Sequence, residues 1–346
     1  MSRGKAISDK CRLKPLFAAL RDYDENVVRA KLDESFDVKA KIKLAYPFED
    51  LDGPTEFFSN ALTPLSLAFP DLERRGTIAM AGPDALSETW VGCCGYYTGT
   101  FARPFLDIPP TGHMASMRFH EFYRIEDGRI IEMQALWDIP ELMVQAGAWP
   151  LSPSLGREWH VPGPTTQDGM TDDPREAFRS TSSLTLVRDM LVHLGKFATD
   201  GVEGMRLDHF WHPRCSWYGP SGIGTCRGIS GFRNWHQIPF LNGMPDRVGS
   251  EDAGHLFADN DYVGFTAWPG MQMTISGDGF LGIAPSGQKI TMRSLDFWRC
   301  ENGLIRENWV LVDLLHVYAQ IGVNVLGRMR EFNKARSAPC VKGSAA

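Results

Sequence analysis

The sequence predicts an α+β protein built from two tandem domains of the same plan. Two observations point to this fold class directly. The chain repeats itself at an offset of 175 residues, and each copy shows helical periodicity first and strand-like segments afterwards. A third observation is the stretch at 149–174, rich in Pro, Gly, Ser and Thr, which separates the copies as an extended linker would. A chain of 346 residues is also long enough for two ordinary domains.

The repeat is clearest where residues 105–128 align with residues 280–303, because 11 of the 24 positions are identical. The same register continues downstream, where it pairs Asp138 with Asp313. We therefore predict a first domain over 1–148, a linker over 149–174, a second domain over 175–330 and a flexible tail over 331–346.

The helical part of each copy has the same layout. Helical periodicity covers 13–36 and 177–211, and a short strand follows at 41–45 and 215–218. A further helix is predicted to begin near Gly53 or Gly228 and to kink or end early at Pro64 or Pro239, because proline cannot donate the helical hydrogen bond.

The second half of each copy is predicted to be an antiparallel meander. In the first copy, β-type composition covers 89–99, 115–124 and 129–136. The turn signals E-D-G at 126–128 and E-N-G at 301–303 indicate hairpins. With the helices placed first, this order predicts about three helices packed on one face of a curved antiparallel sheet in each domain.

Composition and charge exclude several function classes. The formal net charge is -6, without a long block of either sign, which argues against a nucleic-acid partner. The seven cysteines are odd in number and show no C-x-x-C spacing, which favours a reducing cytoplasm. No signal-peptide pattern follows the basic N-terminus, and the most apolar stretch, 309–326, contains Asp313 and His316. We expect a soluble cytoplasmic protein without a membrane partner.

Motifs late in each copy resemble the SnoaL-like polyketide cyclase family, within the nuclear-transport-factor-like superfamily. They are an I-P-P-T-G or I-A-P-S-G loop, then F-Y-R-I-E-D-G-R-I-I-E or F-W-R-C-E-N-G-L-I-R-E, and then an Asp followed by Q-x-G. The resemblance covers 12–148 and 184–326. It implies cone-shaped domains, each with a sheet curled around an apolar pocket. It also implies acid/base residues on the inner face and no cofactor.

The resemblance also draws attention to Asp138 and Asp313, which occupy equivalent positions after the last strand of each copy. Family cyclases are thought to close a ring by an intramolecular aldol reaction that uses an Asp as acid and base. A carboxylate at an apolar pocket can have its pKa raised into the range of a useful base. An Asp between a strand and a helix is equally suited to capping the helix, so catalysis and capping both remain open.

Two histidines are further candidates for catalysis. His120 shares a strand face with Phe122, so both side chains would point into the cone together if either does. Its counterpart in the second copy is Leu295. His236 is predicted to lie on an apolar helical stripe with Trp235, facing the sheet. A hydrogen-bonded core histidine is the alternative at both positions.

Aromatic side chains are the candidates for substrate contacts. A cavity lined by them would bind an apolar small molecule, although filling a core is their commoner role. The candidates are Phe122, Trp137, Trp235, Trp298 and Trp309. We expect no metal site, because the H-x-x-H pair His209 and His212, even with Cys215, lacks a fourth ligand at zinc-like spacing.

Three function classes follow from these features. The first is an enzyme that abstracts a proton from an apolar carbonyl compound, as a cyclase, isomerase or dehydratase. The second is a binding module that holds a hydrophobic ligand without turnover, and the third is an assembly scaffold. Because sheets of this superfamily usually pack as dimers, we also expect the tandem domains to form an internal pseudo-dimer. Further pairing of whole chains stays open.

Overall fold

A computed structural model describes residues 9–249 and 254–334 and confirms two tandem α+β domains. The predicted tail begins inside a helix that runs to Phe332, and residues 335–346 lie outside the described residues. The six cysteines in the described ranges are all free.

The first domain begins with helices and continues with strands, as predicted. Its helices are α1 (Asp9–Arg12), α2 (Lys14–Arg21), α3 (Glu25–Ser35), α4 (Gly53–Phe57), α5 (Thr63–Ala68) and α6 (Ile139–Gln145). Its strands are β1 (Phe36–Leu44), β2 (Glu49–Asp52), β3 (Glu73–Pro83), β4 (Thr89–Thr100), β5 (Met114–Glu126) and β6 (Arg129–Trp137). The short strand β2 and the long strand β3 were not predicted.

The second domain repeats this plan. Its helices are α7 (Ala177–Leu194), α8 (Phe197–Gly204), α9 (Leu207–Phe210), α10 (Gly228–Phe232), α11 (Ile238–Gly243), α12 (Leu314–Gln320) and α13 (Val325–Phe332). Its strands are β7 (Trp211–Tyr218), β8 (Thr225–Arg227), β9 (Val248–Gly249), β10 (His255–Asp259), β11 (Tyr262–Thr274), β12 (Lys289–Glu301) and β13 (Leu304–Val312).

Both sheets are mixed, which corrects the predicted antiparallel sheet. The strand orders are β2-β1-β6-β5-β4-β3 and β10-β11-β12-β13-β7-β8, with β9 paired to β11. The first strand of each domain runs parallel to the last one, β1 beside β6 and β7 beside β13. The rest of the domain connects these two strands, and such a long crossover allows parallel pairing, whereas a tight turn does not.

The predicted hairpin turns have the expected geometry. Asp127 and Gly128 have φ of 48° and 80°, and Asn302 and Gly303 have φ of 52° and 77°. Two successive positive φ angles define the type I′ turn that matches the twist of paired strands.

The predicted kink at Pro64 and Pro239 takes the form of a π-helical turn. The turns cover Phe58–Leu62 and Arg233–Gln237, directly before α5 and α11. The wider turn absorbs the missing proline N–H without ending the helix.

The two sheets face each other across the domain boundary. Phe122 and its repeat counterpart Phe297 stack with ring centroids 4.8 Å apart. Gly92 makes room for this pair, because a Cβ there would lie 2.9 Å from both rings. Contact between equivalent residues is typical of a two-fold interface, so the arrangement is consistent with an internal pseudo-dimer.

Residues 149–174 run along both domains as an extended segment. The Val161 N–H donates to the Tyr96 hydroxyl at 2.8 Å, in the first domain. The Thr165 hydroxyl donates to Glu307 at 3.0 Å, in the second domain. The linker therefore contributes to the contact between the domains.

Candidate functional site

A cavity of about 170 Å³ lies inside the cone of the second domain. Its walls are mostly apolar and come from α7, α10, the following π-helical turn, α11 and the inner face of the sheet. The polar side chains among its lining are Gln237, Ser294, Asn308, His236, Arg247 and Asp296.

Asp296 is the one acidic side chain that the described residues contribute to this lining. It lies in the middle of β12, where alternation points Ser294, Asp296 and Trp298 to the same inner face. The Ser294 hydroxyl donates to Asp296 Oδ2 at 2.6 Å. Burial raises the pKa of Asp296 to about 7, and this hydrogen bond opposes the shift. Such a carboxyl group can exchange protons at neutral pH.

His236 and Arg247 line other parts of the same cavity. The His236 ring stacks on Trp217 with centroids 3.9 Å apart. Burial and the charge of Arg247 lower the pKa of His236 to about 3, so its imidazole is neutral near pH 7. His236 is therefore an aromatic wall with a neutral polar edge.

The first domain fills the equivalent interior with a hydrogen-bonded network. Glu121, the repeat counterpart of Asp296, forms a buried ion pair with Arg74 at 2.6 Å. The Tyr97 and Tyr123 hydroxyls donate to it at 2.9 and 2.6 Å, and Trp137 Nε1 donates at 3.3 Å. Both carboxylate oxygens of Glu121 are thus satisfied by protein groups.

None of these four donors has a counterpart that donates to Asp296. The repeat offset replaces Arg74 with Gly249, Tyr123 with Trp298 and Trp137 with Val312. Met271 takes the position of Tyr97 in the sheet. Tyr97 pairs with Met117, and Met271 pairs with Met292, which is the repeat counterpart of Met117. The second cone is open because these replacements remove both the cation and the hydroxyl donors.

A model of the family described as "SnoaL-like polyketide cyclase" matches residues 19–146 and 198–321, which is most of the chain. The chain belongs to the SnoaL-like polyketide cyclase family. The predicted resemblance, including its two tandem copies, is confirmed. No curated protein matches the chain significantly.

Solved structures similar to this SnoaL-like chain each match about one domain. IdmH from Streptomyces antibioticus has 21% identity and a TM-score of 0.35, covering 41% of this chain and 99% of its own. An NTF2-like protein from Burkholderia thailandensis has 17% identity and a TM-score of 0.32, with coverages of 41% and 98%. TsrD from Streptomyces laurentii has 25% identity and a TM-score of 0.33, with coverages of 40% and 96%.

Asp138 and Asp313 lie where the two SnoaL-like domains meet. Asp138 accepts a hydrogen bond from the Ser221 N–H at 2.9 Å, and Asp313 accepts one from the Tyr46 N–H at 3.0 Å. Tyr46 and Ser221 are themselves repeat counterparts, so the contact is reciprocal. Asp313 also caps α12 through the His316 N–H at 3.1 Å, whereas the Asp138 side chain makes no capping bond to α6.

Each of these aspartates also pairs with an arginine of its own domain. Arg118 lies 3.6 Å from Asp138 and Arg293 lies 3.1 Å from Asp313. Burial raises the pKa of Asp138, and it raises the pKa of Asp313 to about 6. Both aspartates border a void of only about 10 Å³, separate from the cavity of the second cone.

His120 and Phe122 share a strand face, as predicted, and that face is directed at the other domain. His120 Nδ1 lies 2.8 Å from the carbonyl oxygen of its counterpart Leu295, to which it can only donate. Burial lowers the pKa of His120 well below its usual range. His120 is thus a neutral interface residue outside both cone interiors.

The structure separates the predicted aromatic contacts. Trp298 lines the second cavity together with His236, whereas Trp235 lies in the π-helical turn and is 53% exposed. Trp309 donates from Nε1 to the Pro162 carbonyl at 2.9 Å, in the core between the domains. Trp137 belongs to the network of the first cone.

Among residues 9–249 and 254–334, one group of three side chains has the residue types and spacing that could bind a metal ion. Asp84, Glu88 and His255 bring their ligand atoms within 4.8 Å of one another. Each has a protein partner, because Asp84 lies 2.6 Å from His255 and Glu88 lies 2.8 Å from Arg124. No helix in the described ranges is long and apolar enough to cross a membrane.

Sequence reasoning missed Asp296 as a site residue. The available signal was an acidic residue at the same position of the aligned segments in both copies, Glu121 and Asp296. Alternation could not reveal the inner face, because both faces of this strand are buried: one lies against the helices and the other against the second sheet.

Proposed function

We propose that this SnoaL-like protein is a small-molecule enzyme whose second domain carries out acid/base chemistry on a carbonyl compound. Asp296 is the proton acceptor in this proposal, and the first domain is its scaffold. The observation that carries the proposal is a buried carboxyl group, the one that the described residues place in this apolar cavity, with Ser294 as its hydrogen-bond donor.

The proposed reaction needs no redox partner. The Asp296 carboxylate removes a proton from the carbon next to a carbonyl group, and the electrons of the C–H bond form a C=C bond as the carbonyl oxygen becomes an enolate. The enolate carbon then attacks a second carbonyl carbon of the same molecule. The protonated Asp296 returns its proton to the resulting alkoxide. Isomerisation is the same sequence with the proton returned to a different carbon.

The surroundings of Asp296 support this role. A base works best when its pKa lies near the working pH, and burial raises the pKa of Asp296 to about 7. Ser294 orients the carboxyl group through one oxygen. The apolar walls limit competition from water.

The other predicted catalytic groups are proposed to be structural. Asp138, Asp313 and His120 each bond to the backbone of the opposite domain. His236 is proposed to bind the ring system of the substrate, because its aromatic stack with Trp217 forms one wall of the cavity.

The test measures deuterium incorporation next to the ketone of 4-oxo-4-phenylbutanoate in D₂O, followed by NMR. We expect wild-type protein to accelerate exchange, with the rate rising as Asp296 ionises around pH 7. Asp296→Asn should lower the rate by about 10² to 10⁴, the usual contribution of a general base.

Asp138→Asn and Asp313→Asn are matched controls, since each removes one buried carboxylate outside the cavity. Both should keep exchange within a few-fold of wild type. If Asp296→Asn retains the wild-type rate while one of these variants loses it, the base lies at the domain interface and the proposal is wrong. If ligands bind and wild-type protein does not accelerate exchange, the domain is a binding module.

A further inference from the structure

Unpartnered polar atoms are concentrated around the second cavity. Eleven buried side-chain atoms in the described residues have no hydrogen-bond partner, and four of them belong to residues that line this cavity. Three are donors and one is an acceptor: Trp211 Nε1, Trp298 Nε1, Arg247 Nε and Gln237 Oε1. Native proteins leave few such atoms, so a group of them around one cavity calls for a ligand or for water.

The first domain has no such group at the equivalent positions. The repeat offset pairs Trp211 with Phe36, Gln237 with Leu62 and Arg247 with Leu72. The fourth counterpart is Tyr123, whose hydroxyl donates to Glu121 at 2.6 Å. At these four pairs of equivalent positions, the unpartnered atoms therefore lie in the second domain.

Arg247 adds a positive charge that no carboxylate of the described residues balances. Its guanidinium donates to the Leu194 carbonyl at 3.0 Å and lies 3.8 Å from the Met271 sulfur. Its carbon Cζ lies 5.9 Å from the centroid of the Phe240 ring. Burial lowers the pKa of Arg247. A guanidinium in this state favours a bidentate carboxylate ligand.

The size of the cavity limits the ligand. A cavity of about 170 Å³ is close to the ~150 Å³ cavity that accommodates benzene in an engineered protein core. One or two rings fit this space, and its lining includes the stacked His236 and Trp217 rings.

We propose that the second cavity binds a one- or two-ring keto acid. Arg247 binds the carboxylate, Trp298 Nε1 donates to the ketone oxygen, and the ring lies against His236 and Trp217. The inference rests on the proposed function in taking this cavity as the site. It adds the class of substrate and gives Trp298 the role of holding the oxygen that becomes the enolate, two residues from Asp296 on the same strand face.

The test compares three probes by calorimetry with the full chain. They are 4-oxo-4-phenylbutanoate, its neutral carboxamide, and 4-phenylbutanoate, which lacks the ketone. We expect the keto acid to bind about 10-fold more tightly than either analogue, because each analogue leaves a buried donor without its partner. These comparisons need no variant, so they hold even if a substitution disturbs folding.

Two variants assign the contacts. Arg247→Gln should bring the affinity for the keto acid down to that for the carboxamide. Arg233→Gln is the control, since Arg233 neighbours the cavity on the π-helical turn and is absent from its lining. Trp298→Phe keeps the ring and removes the N–H, so it should abolish the roughly 10-fold preference for the keto acid over 4-phenylbutanoate.

The inference is wrong if the keto acid and its carboxamide bind equally well, or if neither binds at millimolar concentration. It is also wrong if Arg247→Gln and Arg233→Gln have the same effect. Equal binding of 4-phenylbutanoate would mean that water satisfies the indole donors and would remove the role given to Trp298. These binding results are independent of deuterium exchange, so tight keto-acid binding with full exchange by Asp296→Asn would contradict the proposed function alone.

Discussion

The two cone interiors differ most at one pair of equivalent positions. Glu121 in the first cone and Asp296 in the second are both buried carboxyl groups on the same strand face. Glu121 has a cation and three other donors, whereas Asp296 has one hydroxyl donor. Removing one partner of a buried ion pair is strongly destabilising, because the remaining charge is left unpaired, whereas a buried carboxyl group with few partners is available for proton transfer.

The domain interface differs from the cone interiors, because the two halves make matching contacts there. Asp138 binds the backbone at Ser221, and Asp313 binds the backbone at Tyr46, which is the equivalent position in the other half. Phe122 stacks on its own counterpart Phe297. The domains are thus most alike where they contact each other and least alike inside the cones.

The largest expected difference between the cones is in stability. Glu121→Gln should lower the free energy of unfolding by about 3 to 5 kcal/mol, because it leaves Arg74 as an unpaired buried charge. Asp296→Asn should change it by less than about 1 kcal/mol at pH 4, since Asp296 is then protonated in the folded protein and close to half protonated in the unfolded chain. Urea denaturation of both variants provides the measurement.

The stability of Asp296→Asn relative to wild type should depend on pH. The pKa of Asp296 is raised on folding, so its contribution to stability is present at low pH and is lost as the pH rises through about 7. Asp296→Asn should therefore gain stability relative to wild type between pH 5 and pH 8. Equal destabilisation by Glu121→Gln and Asp296→Asn at both pH 5 and pH 8 would mean that the two carboxyl groups have the same structural role.

A smaller effect is expected from restoring the missing cation. Gly249→Arg places an arginine at the position that Arg74 occupies in the first cone. A Cβ at Gly249 would lie 3.1 Å from the flexible Met271 side chain, so the change is sterically tolerable. We expect affinity for 4-oxo-4-phenylbutanoate to fall by about 10-fold, because an ion pair with Asp296 would occupy the cavity. Gly249→Ala should bind normally, and unchanged binding by Gly249→Arg would mean that this position does not control the opening of the cone.

The repeat made the fold predictable, while the site was only partly so. Counterpart residues such as Gly128 and Gly303 marked the hairpin turns, because few residues adopt positive φ. His236 and Trp298, predicted separately as a catalytic and a substrate-binding candidate, both line the cavity. Asp296 was missed because its strand is buried on both faces, and the open cone depends on Gly249 and Met271, which are distant in sequence from Asp296.

The location of a bound ligand tests the central claim most directly. A crystal of the full chain soaked with 4-oxo-4-phenylbutanoate should show density in the second cone. The ligand should touch Asp296, and the first cone should stay filled by the Arg74 and Glu121 pair. Density in the first cone, or between the domains beside Asp138 and Asp313, would contradict the account.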